Sequence, residues 1–536
     1  MAQTGTLTVI TEGKELSFPV CDQTSVLNVL LDSGVVDITS PCGGNGLCGK
    51  CLVQVMGEDP LPIHPDEKRL LTPVQLAQHF RLACRMMLSL ETDVTIALIS
   101  SKKLAKVVST FQDSSPIPRG RQGFSHSCFG FAIDIGTTTV VVYLALLDTG
   151  EIVDHLSSLN PQTSYGGDVI TRIEYTIEHP NGLILLQKVI VDRLSLLMKE
   201  LIDTNHIDPL SIMEIVAVGN PTMIHLLVGK DPSGIAVAPF ISALKNPIEM
   251  LATEIGFTKA PKAKLILPGG VSAYIGSDIT VGINSSNILN STHPVLYIDI
   301  GTNGEIALFD GNKLHCCSSA AGPAFEGASI RHGMGAVDGA IDRVWVNEDG
   351  SVAHSTIGGT QAIGICGSAI IDIMALLLDL ELVDETGAMD DEHPLADFYL
   401  ISTANGIAFR ITDSVSFTHR DVREVQLAKA AIAAGSMVLL KASHLDALQL
   451  GSVVVAGGFG SFINKEKARR IGLFPFIELD KIIAVGNAAG KGALDVLLLE
   501  GEACKVEEIR TGAHYIELST SALFNEYYVE QMFFGE

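Results

Sequence analysis

Positive charge is scarce in this chain. Its 536 residues carry 36 Lys plus Arg against 61 Asp plus Glu, a formal charge of −25, which repels nucleic acid and anionic lipid surfaces and excludes both as partners in this reading. Also missing is a basic segment followed by a long apolar run. The start, MAQTGTLTVITEG, has neither, so no signal peptide is read. Nor does a long uncharged stretch stand out: the most apolar window, Gly364 to Val383, carries Asp372, Asp379 and Glu381 and reads as an amphipathic core helix. The expectation is a soluble cytoplasmic protein with no membrane contact. Hydrophobic residues make up 47% of the chain, enough for several cores, and a chain of this length allows about three or four domains.

Cysteine is scarce too, ten in all, yet three fall together in PCGGNGLCGKC. In a reducing cytosol such clustering points to metal binding or redox chemistry rather than structural disulfides. Cys42, Cys48 and Cys51 have the spacing C-x5-C-x2-C, and Cys84 follows in RLACRMM. Four thiolates are what a [2Fe-2S] cluster requires. Gly43, Gly44, Gly46 and Gly49 suit a loop that curls around inorganic sulfide and offers it backbone N–H groups. Zinc is the alternative, but a tight zinc site more often uses two C-x2-C pairs, and one is present. Cys21, Cys128, Cys316, Cys317, Cys366 and Cys504 share no spacing and read as plain thiols. No C-x2-C-x2-C run marks a second cluster near the C-terminus.

The flanking pattern agrees with the cluster reading. LTVITEG and KELSFPV read as a hairpin, and SVLNVLLDSG as a helix with Leu27, Leu30 and Leu31 on one face and Gly34 as its stop. KCLVQVMGE reads as a strand, Pro65 to Gln78 as one short helix, and FRLACRMML and DVTIALI as strands. This order resembles the β-grasp fold of [2Fe-2S] ferredoxins over residues 1–100, with the five-residue first gap of the adrenodoxin type. Residues 101–130 lose hydrophobic periodicity and gather Ser, Pro, Gly and basic residues, which reads as a linker.

Beyond it lies an internal repeat. FAIDIGTTTVVV from Phe131 and YIDIGTNGEIAL from Tyr297 share the core IDIGT, a strand running into Asp-x-Gly-Thr and then a second strand. Such a tight hairpin turn brings N–H groups and hydroxyls to a phosphate. A second pair, IVAVGNPTM from Ile215 and IIAVGNAAG from Ile482, suggests two structurally related halves. SVVVAGGFGSF adds a buried strand ending in Gly457, Gly458 and Gly460, where missing side chains would admit a flat adenine and its ribose.

Taken in order, IDIGTTT, AVGNPTM, IGSDITVGI, IDIGTNGE, VAGGFG and AVGNAAGKGA resemble the nucleotide-binding pattern of the actin, sugar kinase and Hsp70 superfamily. That resemblance implies two RNase H-like lobes, residues 131–290 and 291–536, closing over ATP and a magnesium ion. Asp134 and Asp299 would flank the magnesium, while Gly136, Thr137, Thr138, Gly301, Thr302 and Asn303 would cradle phosphates. Glu305 is a weaker candidate for positioning the attacking water.

A multidomain α/β chain with an N-terminal [2Fe-2S] domain, a linker and an actin-like ATPase resembles the reductive activators of corrinoid proteins. The likeness spans the chain and includes GPAFEGASIRHGMGA from Gly322, DVREVQLAKAAIAAG from Asp421 and VGNAAGKGA from Val485. It implies ATP-dependent return of a partner's Co(II) corrinoid to Co(I) within a methyltransferase system, fed by an upstream low-potential electron donor. The rivals are an ATP-coupled electron donor to another enzyme such as a radical dehydratase, a small-molecule kinase that would leave Cys42, Cys48, Cys51 and Cys84 idle, and a noncatalytic ATP-switched scaffold. His225 and His332 read as interior or lobe-facing side chains, and Gln426 to Leu450 as an Ala-rich core helix. The tail ending YYVEQMFFGE is read as completing the last lobe, with a homodimer contact as its alternative.

Overall fold

Alternation in TLTVIT buries Leu7 and Val9 and leaves Thr6 and Thr8 half-buried, so the segment folds as strand β1 (Thr6–Thr11), paired antiparallel with β2 (Lys14–Pro19). The computed structural model describes residues 5–11, 14–20, 22–33, 38, 40, 42–57, 59–71, 73–98, 128–403, 406–458 and 463–535. The linker up to residue 127, Cys21, Gly34 and Gly460 lie outside them. Helix α1 (Val26–Ser33) buries Val26, Leu27, Leu30 and Leu31. With β3 (Leu52–Val55), β4 (Phe80–Leu82) and β5 (Val94–Leu98), the first two strands form a sheet of order β2-β1-β5-β3-β4, in which β1 and β5 run parallel. This is the expected β-grasp arrangement.

Two local expectations need correction. The single helix around Pro65 to Gln78 is two, α2 (Pro65–Leu70) and α3 (Pro73–Ala77), because Leu71 turns to extended backbone and Pro73 has no N–H to continue the first. The strand expected through FRLACRMML is interrupted at Ala83–Arg85 by a 3-10 turn that carries Cys84.

The duplicated hairpins open two matching sheets. In the first lobe β6 (Phe129–Ile135), β7 (Thr139–Leu146), β8 (Ile152–Leu159), β9 (Ile212–Gly219), β10 (Ile248–Leu251) and β11 (Lys264–Leu267) take the order β8-β7-β6-β9-β11-β10. In the second, β12 (Val295–Ile300), β13 (Gly304–Phe309), β14 (Leu314–Ser319), β15 (Ser452–Ala456), β16 (Ile482–Gly486) and β17 (His514–Tyr515) take the order β16-β15-β12-β13-β14-β17. Each lobe thus has an antiparallel meander extended past its first strand by two parallel strands, with antiparallel β10 at the edge of the first sheet and β17, parallel to β14, at the edge of the second. The topology revises the second repeat pair. IVAVGN forms β9, whose counterpart is β15, whereas IIAVGN forms β16, whose counterpart is β11. The strings match because both are buried parallel strands ending in an Asn that caps a helix: Asn220 accepts from the Thr222 N–H and Asn487 from the Gly490 N–H.

Helices tie the lobes together. After α4 (Val169–Glu178), α5 (Ser277–Ser285) follows β11, and its Ile279 and Ile283 pack with Tyr297, Ala307 and Val454 of the second lobe. Helix α6 (His419–Ala442) starts earlier and ends sooner than Gln426 to Leu450, because Thr418 and Asp421 form a capping box at its start and the chain turns at His444, φ 55°. Among the described residues it alone is long and apolar enough to cross a bilayer, and it is mostly buried within the second lobe. Helix α7 (Ala488–Leu498) follows β16 and covers Ala132, Val141, Val216 and Val218 of the first lobe. The two connecting helices therefore exchange lobes, and they cross so closely that a Cβ on Gly492 would lie 2.4 Å from the Val281 carbonyl oxygen. The tail closes the second lobe: Phe534 is buried, and the Lys429 ammonium donates to the Phe533 carbonyl.

Gly492→Val places side-chain atoms against this backbone. Overpacking of this kind costs about 1–3 kcal/mol, so the variant should melt several degrees lower by thermal unfolding, with an unchanged midpoint refuting the close crossing.

Candidate functional site

Each IDIGT string carries an aspartate near the end of its strand and enters a tight turn, and the first turn admits only glycine. The Gly136 N–H donates to the Thr139 carbonyl at 2.9 Å, and a Cβ there would sit 2.7 Å from that oxygen. The Gly301 N–H donates to the Asn303 carbonyl at 3.0 Å. The turns bring Asp134 from β6 and Asp299 from β12 into one interlobe cleft. Asn487, the cap of α7, donates to Asp134 at 2.8 Å, and the Tyr297 hydroxyl donates to Asp299 at 3.4 Å.

Two further acids join them. Asp278 lies in the first turn of α5, and Glu305 stands opposite Asp299 across the β12–β13 hairpin. Burial pushes the Asp134 carboxyl up to about 6. Burial and then repulsion from Asp134 carry Asp299 up to about 7, and burial with the charges of Asp299 and Asp134 carries Asp278 up to about 8. Glu305 is driven well above the usual carboxylate range by burial and by Asp278 and Asp299. Crowded oxygens that repel one another fit a hard divalent cation. Asp278 lies inside IGSDITVGI, and its helix-first-turn position was the signal that could have singled it out.

The remaining hairpin residues divide by their contacts. One oxygen of Glu326 accepts from the Thr138 hydroxyl at 2.5 Å and from the Thr302 hydroxyl at 2.8 Å, bridging the two hairpins. Beneath the first hairpin, Arg172 of α4 is fully buried and donates to the carbonyls of Thr137 (2.5 Å) and Gly166 (2.8 Å). Its other guanidinium bonds reach the Gln162 amide oxygen and the Met223 sulfur, and burial pushes its pKa down to about 9. Its hydrogen bonds go to uncharged groups, while the carboxylates of Asp168 and Glu326 lie near enough to stabilise its charge. Neither Glu326 nor Arg172 was marked by sequence reasoning. Asn303 bonds to Glu305 through its side chain. Gly457, at φ 99°, serves the second hairpin directly, since a Cβ there would lie 2.6 Å from the Ile300 carbonyl and 3.0 Å from an Asp299 oxygen. Gly458 faces open space, and Gly460 is outside the described residues.

The cysteine loop is held by its carbonyls. Arg85 donates to those of Gly44 and Asn45, Arg69 to that of Gly46, and both arginines pair with Asp66 of α2. Behind them a buried Glu67 receives the Arg81 guanidinium at 2.8 and 2.9 Å and the Leu82 N–H at 2.9 Å, fixing β4 and the turn that bears Cys84. Three of the loop's N–H groups, those of Gly46, Leu47 and Cys48, point at Cys42. Gly43, Gly44, Gly46 and Gly49 all have positive φ, from 58° to 86°.

The thiols stand as two pairs. Cys48 donates to Cys42 at 3.2 Å, lowering Cys42 to about 4 and raising Cys48. Cys51 donates to Cys84, which raises Cys51 and lowers Cys84. Among the described residues, no three His, Cys, Asp or Glu side chains close on one point as a mononuclear site would require. Two thiol pairs beside inward N–H groups fit a two-iron cluster better than zinc.

The other predicted features are placed plainly. His225 is interior, with Nδ1 2.7 Å from the Pro221 carbonyl oxygen, and His332 accepts from the Ser416 N–H through Nδ1. Cys316, Cys317 and Cys366 are buried free thiols; Cys128 is half-buried and Cys504 exposed.

Comparison with known proteins agrees with this two-module architecture. A 2Fe-2S iron-sulfur cluster binding domain model matches residues 9–89, the RACo middle region matches 129–291, and the C-terminal domain of RACo, described as the ASKHA domain, matches 293–536. The corrinoid activation enzyme RamQ of Eubacterium limosum is 34% identical over 421 residues, covering 76% of this chain and 70% of that protein. The [Co(II) methylated amine-specific corrinoid protein] reductase of Methanosarcina barkeri is 26% identical over 439 residues, covering 75% and 76%. A solved reductive activator for corrinoid, iron-sulfur protein superposes over 99% of this chain and 98% of its own, with a TM-score of 0.71 at 30% identity. With a cluster-type cysteine loop and a cleft between two duplicated hairpins in one chain, and relatives of this extent, the protein belongs to the family of reductive activators of corrinoid proteins.

Proposed function

We propose that this chain reductively activates a partner corrinoid protein in a methyltransferase system, using ATP to return an inactive Co(II) corrinoid to Co(I). The observation that carries the reading is the pairing of two dithiol sets with an acid-lined, two-hairpin cleft in one chain. Cys42, Cys48, Cys51 and Cys84 would hold the [2Fe-2S] cluster, which when bound supplies one-electron chemistry. An upstream low-potential donor would refill it. Asp134 and Asp299 would flank a magnesium ion through water molecules, and Gly136, Thr137, Thr138, Gly301, Thr302 and Asn303 would cradle the phosphates of ATP.

Energetics explain the union of the two modules. For a one-electron step, each ~59 mV of unfavourable gap costs a factor of ten, so a ferredoxin alone would stall against a Co(II) centre held by an axial ligand. Docking that favours the state with that ligand removed raises the cobalt potential, and binding can do this only through differential affinity for the two states. ATP turnover then makes docking and release directional. A kinase would have no use for the dithiol loop.

The test is anaerobic ultraviolet-visible spectroscopy of a corrinoid protein held as Co(II), mixed with this protein, a low-potential reductant and magnesium. Conversion to the Co(I) spectrum only after ATP is added is the expected result; no conversion across several corrinoid proteins, with cluster and nucleotide bound, refutes the acceptor assignment. Cys48→Ser should lose both the visible cluster spectrum and reduction, whereas Asp299→Ala should keep the spectrum and lose ATP turnover.

Arg172→Met provides a separate check on the nucleotide site. Removing a charged hydrogen-bonding group costs about 1.5–3 kcal/mol, so a fluorescent ATP analogue should bind at least about tenfold more weakly. Unchanged binding would show that the buried guanidinium does not serve the phosphates.

A further inference from the structure

The cluster-bearing domain touches both lobes. The Tyr165 hydroxyl of the first lobe donates to the Leu31 carbonyl at 3.2 Å, and a Cβ on Gly43 of the cysteine loop would lie 3.7 Å from the Tyr165 carbonyl oxygen. Lys50, between Cys48 and Cys51, donates to three carbonyls of the second lobe, those of Ile330 (3.4 Å), Arg331 (3.4 Å) and Gly333 (3.2 Å). A domain bonded to both lobes responds to the spacing between them.

Glu326 governs that spacing at the hairpins. Its single oxygen draws Thr138 of one lobe and Thr302 of the other onto one atom. The same residue begins the segment that ends in the acceptors of Lys50, and the segment folds tightly on itself. A Cβ on Gly327 would lie 2.6 Å from the Met334 nitrogen, and one on Gly333 would lie 2.1 Å from the Gly327 carbonyl oxygen. Its far end is fastened to the second lobe by the Arg331 N–H, which donates to Asp421 at 2.8 Å, and by the Ser416 N–H, which donates to His332 at 3.0 Å. Displacement of Glu326 therefore acts on a stiff piece of backbone.

We infer that Glu326 and Lys50 are positioning residues of one latch: Glu326 joins the hairpins and Lys50 holds the cysteine loop on the second lobe until a nucleoside triphosphate displaces Glu326. The inference rests on the nucleotide-binding reading above. Phosphate oxygens compete for the same two hydroxyls and repel the carboxylate, and a metal-bound triphosphate is wider than one oxygen atom. The hairpins separate, the Lys50 hold on the second lobe loosens, and the cysteine loop becomes free to face an external acceptor. Coupling of this kind is reciprocal. Whatever weakens the hold must tighten nucleotide binding by the same factor.

The experiment is calorimetric titration of the full-length, cluster-loaded protein with a nonhydrolysable ATP analogue and magnesium. Lys50→Met should bind about fivefold tighter than the parent, at the low end of typical couplings, and Lys50→Arg should stay near the parent. Glu326→Gln should also bind tighter, and the double variant should gain less than the product of the single gains. A Lys50→Met affinity equal to the parent's, or gains that simply multiply, overturns the latch while leaving nucleotide binding intact. No binding by the parent overturns both readings. Because Lys50→Met could lose its cluster, spin labels on the cluster domain and the second lobe of the otherwise unaltered protein give a second readout. Their distance distribution should lengthen when the analogue is added, and an unchanged distribution overturns the latch.

Discussion

Carboxylate repulsion across the interlobe cleft is the constraint on which the rest of the molecule turns. Asp134 comes from the first lobe, Asp299 and Glu305 from the second, and Asp278 from the helix that joins them. Burial already disfavours their charged forms, and each charge raises the cost of the next. In the proposed nucleotide site, such acids would be relieved of their mutual repulsion by the cation that accompanies a polyphosphate. Because the acids belong to separate bodies, filling the site is also a statement about where the lobes stand.

The cysteine loop follows the opposite electrostatic plan. In a chain of net charge −25, Arg69, Arg85 and Lys50 gather around it. The arginines occupy loop carbonyls and so leave N–H groups to face sulfur, which suits an anionic cluster and bears on its potential through hydrogen bonding and local charge. Lys50 does something different, since its three acceptors lie in the second lobe. The same few residues that make the loop hospitable to a cluster thus tie it to the ATPase.

Much of this was legible in the sequence, where local chemistry repeats in recognisable strings. Cysteine spacing and interleaved glycines marked the cluster loop, and IDIGT marked both hairpins. What escaped were residues whose meaning depends on distant partners. Glu326 reaches Thr138, 188 positions away, and Lys50 reaches carbonyls some 280 positions away. Arg172 gains its meaning only beneath Thr137. Local chemistry also misled: IVAVGN and IIAVGN look like a repeat because any buried parallel strand capped by Asn can read that way, yet they occupy different positions in the two sheets. Helix limits failed where a cap or a proline overrode periodicity, at Thr418 and at Pro73.

The exchange of connecting helices narrows the motions available to the lobes. Helix α5 packs on the second sheet and α7 on the first, so wide separation would strip apolar surface from both. At their crossing, the absence of side chains at Gly492 lets backbone meet backbone, a contact that tolerates small rotation or sliding better than interlocked side chains do. Rotation about such a crossing leaves the helix cores packed while changing the distance between the hairpins and between Tyr165 and the Ile330–Gly333 carbonyls. Those are the places where Glu326 and the cluster domain span the lobes. In the proposed cycle, a small displacement imposed by phosphate at the hairpins would therefore be delivered to the cluster domain rather than dissipated in the cores.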